Sequence, residues 1–493
     1  MFPIFFQDSY KIGHKNCYNP GTTKVYSNLT PRSTKDDTDN NDGVVFFGLQ
    51  YMLKRFFIEE FNQWFNTPKD ITIGQYKAIV DNHLNTNFDS THIEELHDLG
   101  YLPLEIKALP EGTIVPHGIP VLTIQNTLDD FFWLPNFLET LISNTLWYPS
   151  TSANNARNLK KIMLKSARET GVDESFVDFQ LHDFSLRGHH SIDSGIVYGA
   201  SWALSFKGSD TFPAILWLEK YYNADSTKDS IIHSCMATEH SIATSYGQGN
   251  ELEYIRRMVE EVAPTGIVSI VADTWSFPNF VTKLLPQLKS SIIKRNGTVV
   301  VRPDSFWTNP QDCLCGYGGW HDKMSALDDE ELKMVQLGTV ETLYNMFGGT
   351  TNAKGFKELD PHINVIYGEA WSDTRLEECC SRLKEKGFAT KFIAGVGSWQ
   401  ALSVNRDYDN WAMKATAIVN NGKLINMFKD PITDKGVKKS ACGLLKVFTQ
   451  DGKICVKDQC SIEEEKEGLL ETVFLNGKLI RETSLSEIRS RLN

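Results

Sequence analysis

The sequence predicts an α/β protein: an irregular (β/α) barrel-like domain with a β-rich companion domain built from N- and C-terminal segments. Three observations lead there. Short apolar runs alternate with helical stretches from 176 to 394, the pattern of parallel strands joined by crossover helices. Polar or glycine-rich residues stand at the carboxyl end of each run, where a barrel of this kind carries its site. Both flanks show strand character instead, at 102–127 and again beyond Met413.

Bulk properties narrow the class. At 493 residues the chain is too long for one simple core. We expect an N-terminal arm, helices and small β unit over 1–150, the barrel-like domain over 151–411, and a β-rich segment over 412–493 that packs with the N-terminal unit. A net charge of −12 without a long basic run argues against nucleic acid or a membrane surface as partner. The opening Met1-Phe2-Pro3-Ile4-Phe5-Phe6 is too short for a signal-peptide core, and no apolar run is long enough to span a bilayer. The 9 scattered cysteines are then expected to be reduced thiols of a cytoplasmic protein.

Taken in order, the arm carries Gln7 to Lys11 and Lys24 to Arg32, followed by a polar tract over 33–42 that is expected to be a mobile loop. Apolar and aromatic residues recur at helical spacing over 44–65, and a second helix follows a break at Gly74 and runs to about His97. The stretch 102–127 alternates, with Pro and Gly at turn spacing, as a small β unit does. Helices are expected over 131–147 and 153–170. The barrel strands fall at 176–181, 267–271, 298–301, 363–366 and 391–394. Later strands are expected at 415–419, 423–428, 444–449 and 472–475, and a terminal helix at 485–492.

The chemistry-bearing residues form four groups. Ser234-Cys235-Met236-Ala237-Thr238-Glu239-His240-Ser241 places a histidine beside a carboxylate at the start of a short helix. Its imidazole can take a proton or act as a nucleophile at neutral pH. Gly368, Gly395, Gly397 and Ser398, with Arg32, Arg302, Arg406, Lys414 and Lys429, can cradle phosphate oxygens. Asp183, Asp210, Asp273, Asp304 and Glu369 can hold Mg²⁺ or sugar hydroxyls. Tyr10 and Phe184 can stack on a flat heterocycle. No residue is assigned as a protein metal ligand: His182, His189, His190 and His233 lack zinc-site spacing, and Cys313, Cys315, Cys379 and Cys380 have no matching second half.

Several ordered motifs then coincide with one family: Asp8-Ser9-Tyr10-Lys11, Phe47-Gly48-Leu49-Gln50-Tyr51, Leu181-His182-Asp183-Phe184 with Arg187-Gly188, and Phe206-Lys207-Gly208-Ser209-Asp210-Thr211. Glu239-His240-Ser241, Val301-Arg302-Pro303-Asp304-Ser305 and Asn426-Met427-Phe428-Lys429-Asp430-Pro431 continue the series. Along nearly its whole length the chain resembles the nicotinamide phosphoribosyltransferases. The resemblance implies formation of nicotinamide mononucleotide and pyrophosphate from nicotinamide and phosphoribosyl pyrophosphate in NAD salvage. It also implies a homodimer with shared active sites, Mg²⁺, and ATP-linked phosphorylation of His240.

By the same resemblance, Phe184 and the partner subunit's Tyr10 sandwich the pyridine ring, and Asp210 accepts from the carboxamide with Arg187 nearby. Ser234 joins the substrate-binding residues, and Glu239 the catalytic ones with His240, Arg302 and Asp304. Arg302, Asp304 and Glu369 hold the ribose and its metal-bound phosphates. Gly368, Gly397 and Ser398 meet the 5′-phosphate, and Arg32, Arg406, Lys414 and Lys429 the phosphate or pyrophosphate groups.

The sequence departs from the family at four places. Ser276 stands where the Asp that orients the catalytic histidine is expected, which leaves a ligand-sensing dimer as a rival reading. Glu369 replaces an Asp, the turn 395–398 reads Gly-Val-Gly-Ser, and no basic residue stands near Leu444. A nicotinate-specific enzyme is the second rival. Asp210 argues against it, because a carboxylate accepts an amide N–H and repels another carboxylate.

Overall fold

The computed structural model describes residues 1–34, 42–430, 432 and 440–492. Most of the polar tract expected as a loop over 33–42 lies outside the described residues, as does Pro431. The chain divides into two compact units. One comprises Met1–Asn154, Trp217–Ala224 and Val404–Asn493; the other comprises Asn155–Leu216 and Asp225–Ser403. Among the described residues no helix is long and apolar enough to cross a membrane.

The first unit is organised on an antiparallel sheet drawn from both ends of the chain. Its strand order is Lys423–Asn426, Trp411–Asn420, Thr22–Pro31, Leu122–Asn126, Leu104–Ala108, Glu471–Leu475 and Lys478–Leu479. The long central strand Thr22–Pro31 sets Asn28 opposite Lys414 and Leu29 opposite Met413. A helical stretch over 49–66 packs Phe57 on Phe474 with ring centroids 5.6 Å apart. Its start is tied by the buried Glu111 carboxylate, which accepts from the backbone N–H groups of Gly48, Leu49 and Gln50 and from the Tyr222 hydroxyl. The carboxylate thereby satisfies helix-terminal N–H groups that the helix itself leaves unpaired.

The second unit carries the parallel strands. Their order is Gly208–Ser209, Leu181–Asp183, Ile393–Val396, Ile363–Tyr367, Val299–Arg302, Val268–Val271 and Met236–Ala237, every pair parallel. His233 pairs in parallel with Gly208 at one edge, while Met236 and Ala237 pair with Val268 and Ser269 at the other. One stretch, 233–237, therefore touches both edges and closes the sheet into an irregular barrel. Val268, Ile270, Val299, Val301, Val365 and Ala394 are fully buried, as expected of strands covered on both faces.

The elements differ from the sequence expectations at identifiable points. Residues 176–177 are not strand: Asp173 caps a short helix, Glu174–Val177, by accepting from the Ser175 N–H at 2.8 Å, and the strand starts at Leu181. Gly74 is no break but lies inside helix Lys69–Leu84. The helices expected over 131–147 and 153–170 are instead a short helix, Leu134–Phe137, and the single helix Glu139–Thr170 containing Pro149. The helix expected from 44 begins at Leu49, because Val44 and Val45 pair with Val115 and Ile114. Strand Lys453–Cys460, which pairs with Leu444–Gln450, was not expected.

Candidate active site

Strand pairing decides which side chains leave the second unit's sheet together. Asp183 pairs with Ser209, so Phe184 and Asp210 emerge side by side at the carboxyl ends of neighbouring strands. The buried Asp183 holds this corner, accepting from the Ser185 N–H at 2.9 Å, the Ser185 hydroxyl at 2.5 Å and the Thr211 hydroxyl at 2.6 Å. Burial raises its pKa, and these hydrogen bonds act in the opposite direction. Asp183 is thus a scaffold for the loops rather than a group open to a ligand.

Phe184 is fixed by its backbone N–H on the Val396 carbonyl at 2.9 Å, and its ring lies on Gly395. A Cβ at Gly395 would stand 2.3 Å from the ring, so the glycine is what admits this ring position. Asp210 is exposed, and its Oδ1 accepts from the Ser234 hydroxyl at 2.5 Å. That bond fixes one carboxylate oxygen at the strand end next to that of Phe184. The exposed Arg187 follows on the Phe184 loop, and Ser398 lies against Gly188.

His240 opens the helix His240–Ser245, with Glu239 at its N-cap. The Glu239 carboxylate is taken by the Ser241 hydroxyl. The imidazole meets other partners: Nδ1 hydrogen-bonds Thr274 Oγ1 at 3.1 Å, and Nε2 lies 3.6 Å from Asp273 Oδ1 and 3.9 Å from Asp304 Oδ2. The imidazole is 47% exposed, whereas the Asp273 side chain is only 4% exposed. An accessible ring is thus backed by a buried carboxylate. Asp273 Oδ2 accepts from the Asp304 N–H at 3.1 Å and the Ser305 hydroxyl at 2.6 Å, leaving Oδ1 to face the ring.

This corrects the expectation that Ser276 leaves His240 without a carboxylate. Ser276 caps the next helix, accepting from the Asn279 N–H at 3.3 Å, and Asp273 stands by the histidine. Asp273 and Thr274 are neighbours that the sequence did not single out for His240. The signal that finds them is register: Ala237 pairs with Ser269, so the residues just beyond each strand meet.

Arg302 ends its strand with the guanidinium on the Thr238 carbonyl and Nε 3.4 Å from Asp304 Oδ1. Asp304 is pressed against Gly368, where a Cβ would stand 2.2 Å from its Oδ1. Burial raises the Asp304 pKa; Arg302 opposes this, Asp273 reinforces it, and His240 and Arg187 oppose it. Glu369 is exposed on the next loop, and Gly397 has open space where a Cβ would point.

Among the described residues no three His, Cys, Asp or Glu side chains gather to cage a metal. The neighbouring Asp273 and Asp304 carboxylates suit an Mg²⁺ that arrives on phosphate oxygens and needs one or two protein ligands. All 9 cysteines are free; Cys315 and Cys379 are unbonded, with sulfurs 3.5 Å apart.

The first unit holds the remaining candidates. Lys414 is half-buried, and its pKa is lowered by burial and by the charges of Arg32, Lys429 and Lys11, against the pull of Glu139. Three of the four predicted phosphate cations therefore share one electrostatic neighbourhood. Arg32 is steered there by bonds to the Asn410 carbonyl at 3.3 Å and side chain at 2.8 Å. Arg406 instead pairs with the adjacent Asp407 at 3.2 Å. Tyr10 is 65% exposed, with the Lys11 ammonium 5.1 Å from its ring centroid.

Comparison with known proteins gives a consistent picture. Residues 179–478 match the nicotinate phosphoribosyltransferase (NAPRTase) family, and residues 4–106 match the nicotinamide phosphoribosyltransferase N-terminal domain. A nicotinamide phosphoribosyltransferase of Acinetobacter baylyi is 40% identical over 502 residues, covering 99% of this chain and 97% of that one. One from Xanthomonas campestris is 31% identical over 495 residues, covering 98% and 96%. Among solved structures, human nicotinic acid phosphoribosyltransferase shares the fold with a TM-score of 0.53 at 15% identity, covering 98% of this chain and 92% of that one. A nicotinate-nucleotide pyrophosphorylase from Pyrococcus furiosus does so with a TM-score of 0.54 at 17% identity, covering 99% and 93%.

Proposed function

The chain belongs to the nicotinate phosphoribosyltransferase family, and from that membership we propose that it is a nicotinamide phosphoribosyltransferase of NAD salvage. It joins nicotinamide to the ribose of phosphoribosyl pyrophosphate, with nicotinamide mononucleotide and pyrophosphate as products. The observation that supports the choice of base is the Asp210 carboxylate, bonded by Ser234 at the strand end next to that of Phe184. It accepts from the carboxamide NH₂ of nicotinamide and repels the carboxylate of nicotinate.

The reaction needs no general base, since the pyridine nitrogen is already a nucleophile. It displaces pyrophosphate at the anomeric carbon. The chain's task is orientation and charge: Phe184 holds the ring, with the partner subunit's Tyr10 on the other face in a homodimer. Asp210 turns the ring, and Arg302 and Asp304 fix the ribose as positive charge develops on the sugar. Glu369, Gly368, Gly397 and Ser398 bind around the ribose and its 5′-phosphate. Arg32, Lys414, Lys429 and Arg406 grip phosphate oxygens, and Mg²⁺, when bound, neutralises the leaving pyrophosphate.

His240 is the further element. Its accessible ring, backed by the Asp273 carboxylate, is suited to accept the γ-phosphoryl group of ATP, releasing ADP. Hydrolysis of that phosphohistidine then drives the transfer forward. The nearness of Asp273 to His240 favours this reading over a ligand-sensing dimer.

The test is mononucleotide formation by the purified protein from nicotinamide, phosphoribosyl pyrophosphate and Mg²⁺, with and without ATP. Product that rises with ATP, together with an acid-labile phosphate lost in His240→Ala, is the expected result. Product indifferent to ATP removes the phosphohistidine cycle, and absence of product removes the reading as a whole.

A further inference from the structure

Away from that site, the second unit contains a cavity of about 270 Å³ at the opposite ends of the same strands. Thr298 precedes strand Val299–Arg302, Pro361 precedes Ile363–Tyr367, and Phe392 precedes Ile393–Val396; all three line the cavity. The strands' carboxyl ends lead to Arg302, Gly368 and Gly397. Strand rise therefore separates the two places by roughly 15 Å.

The cavity wall combines aromatic rings with positive charge. Phe176, Phe388 and Phe392 supply the rings. The Lys391 ammonium lies 5.5 Å from the Phe176 centroid, and the Lys357 ammonium 5.3 Å from that of Phe388. The charges are not equally spent. Lys391 is paired with Glu358 at 3.1 Å. Asp360, the wall's carboxylate, accepts from the His362 backbone N–H at 2.9 Å and lies 2.7 Å from its ring nitrogen. The Lys357 ammonium meets only the rings of Phe388 and Tyr344, and no carboxylate among the described residues.

We propose that this cavity binds a compact organic monoanion, with a flat one- or two-ring body between the phenylalanines and a carboxylate head on Lys357. The apolar walls strip water from the rings, and the one cation without a counter-ion sets both the sign and the number of charges. A neutral ring leaves Lys357 without a counter-ion. A dianion finds a single unspent cation and meets Asp360. The volume lies just below the roughly 300–1,000 Å³ typical of pockets for drug-sized ligands, which limits the body to small ring systems.

The experiment uses the full chain, methyl-labelled, titrated with 2-naphthoate and separately with the neutral 2-naphthamide while NMR follows the methyls of Val340, Ile363 and Leu383. Saturable shifts confined to these residues are expected with naphthoate. Lys357→Ala and Lys357→Met should each weaken binding about tenfold, as loss of a charge-assisted hydrogen bond does. The methionine variant keeps the apolar stem, so a loss common to both variants reports the charge and not the fold. Absence of shifts at millimolar naphthoate, equal affinity for naphthamide, unchanged affinity in both variants, or shifts at the carboxyl-end loops instead would each overturn the proposal.

Discussion

Asp273 and His240 face one another across 3.6 Å, and the second carboxylate oxygen is fastened by the Asp304 N–H and the Ser305 hydroxyl. The carboxylate cannot turn away from the ring without giving up both bonds. With Nδ1 bonded to Thr274 Oγ1 at 3.1 Å, the ring keeps its Nε2 edge toward this carboxylate.

Asp273→Asn should therefore reduce ATP stimulation by about tenfold or more, with a smaller loss of transfer measured without ATP. Product formation in the two conditions distinguishes them. Equal losses would assign Asp273 to the transfer step itself.

Ser276→Ala should lower stability by roughly 0.5–1 kcal/mol through loss of a helix cap, leaving ATP stimulation intact. Denaturant unfolding alongside the same assay tests this. A variant that folds as well as the parent but loses stimulation would return Ser276 to the site.

The contrast between Asp273 and Ser276 marks what the sequence could and could not carry. Arg302, Asp304, Gly368 and Glu369 were legible because they follow hydrophobic runs whose ends can be read directly; strand Val268–Val271 lies within the expected 267–271. The two-residue strands Gly208–Ser209 and Met236–Ala237 have no period to detect. Without Met236–Ala237 there is no register between His240 and Asp273, so motif comparison alone pointed to the wrong neighbour. Arg406 is a different case: its pairing with Asp407 is local, yet nothing in the spacing distinguished it from the clustered Arg32 and Lys414.

Asp210→Asn should narrow the preference for nicotinamide over nicotinate by about tenfold or more, since the repulsive charge is gone. Ser234→Ala should raise KM for nicotinamide with a smaller change in kcat, because it frees the carboxylate without removing it. The ratio of kcat/KM values for the two bases is the measurement, and an unchanged ratio in Asp210→Asn would sink the assignment.

Glu251 gives a pH prediction. Burial, with the Asp273 carboxylate adding to it, pushes its pKa from 4.5 up to about 7. The folded protein holds this proton more tightly than the unfolded chain, so stability declines as pH rises from 4.5 to about 7. Glu251→Gln should flatten that decline and be more stable than the parent above pH 7 by roughly 1–3 kcal/mol. Unfolding free energies measured across this range check the slope.

Lys414→Met should raise KM for phosphoribosyl pyrophosphate by about tenfold, since it removes a phosphate cation. It should also raise the Tm of the free protein, because burial and the charges of Arg32, Lys429 and Lys11 disfavour the Lys414 charge. A lower Tm would mean that packing of the lysine stem outweighs the repulsion.

The stretch 233–237, paired at both edges of the sheet, works like the clasp of a hoop. Ser234 sits within the clasp and His240 hangs just beyond it. In the proposed cycle, a phosphoryl group on the imidazole would stand beside Asp273 and Asp304 on the same short stretch of backbone as the hydroxyl that bonds Asp210. The proposed phosphorylation site and the proposed grip on the base are thus carried by one short piece of backbone.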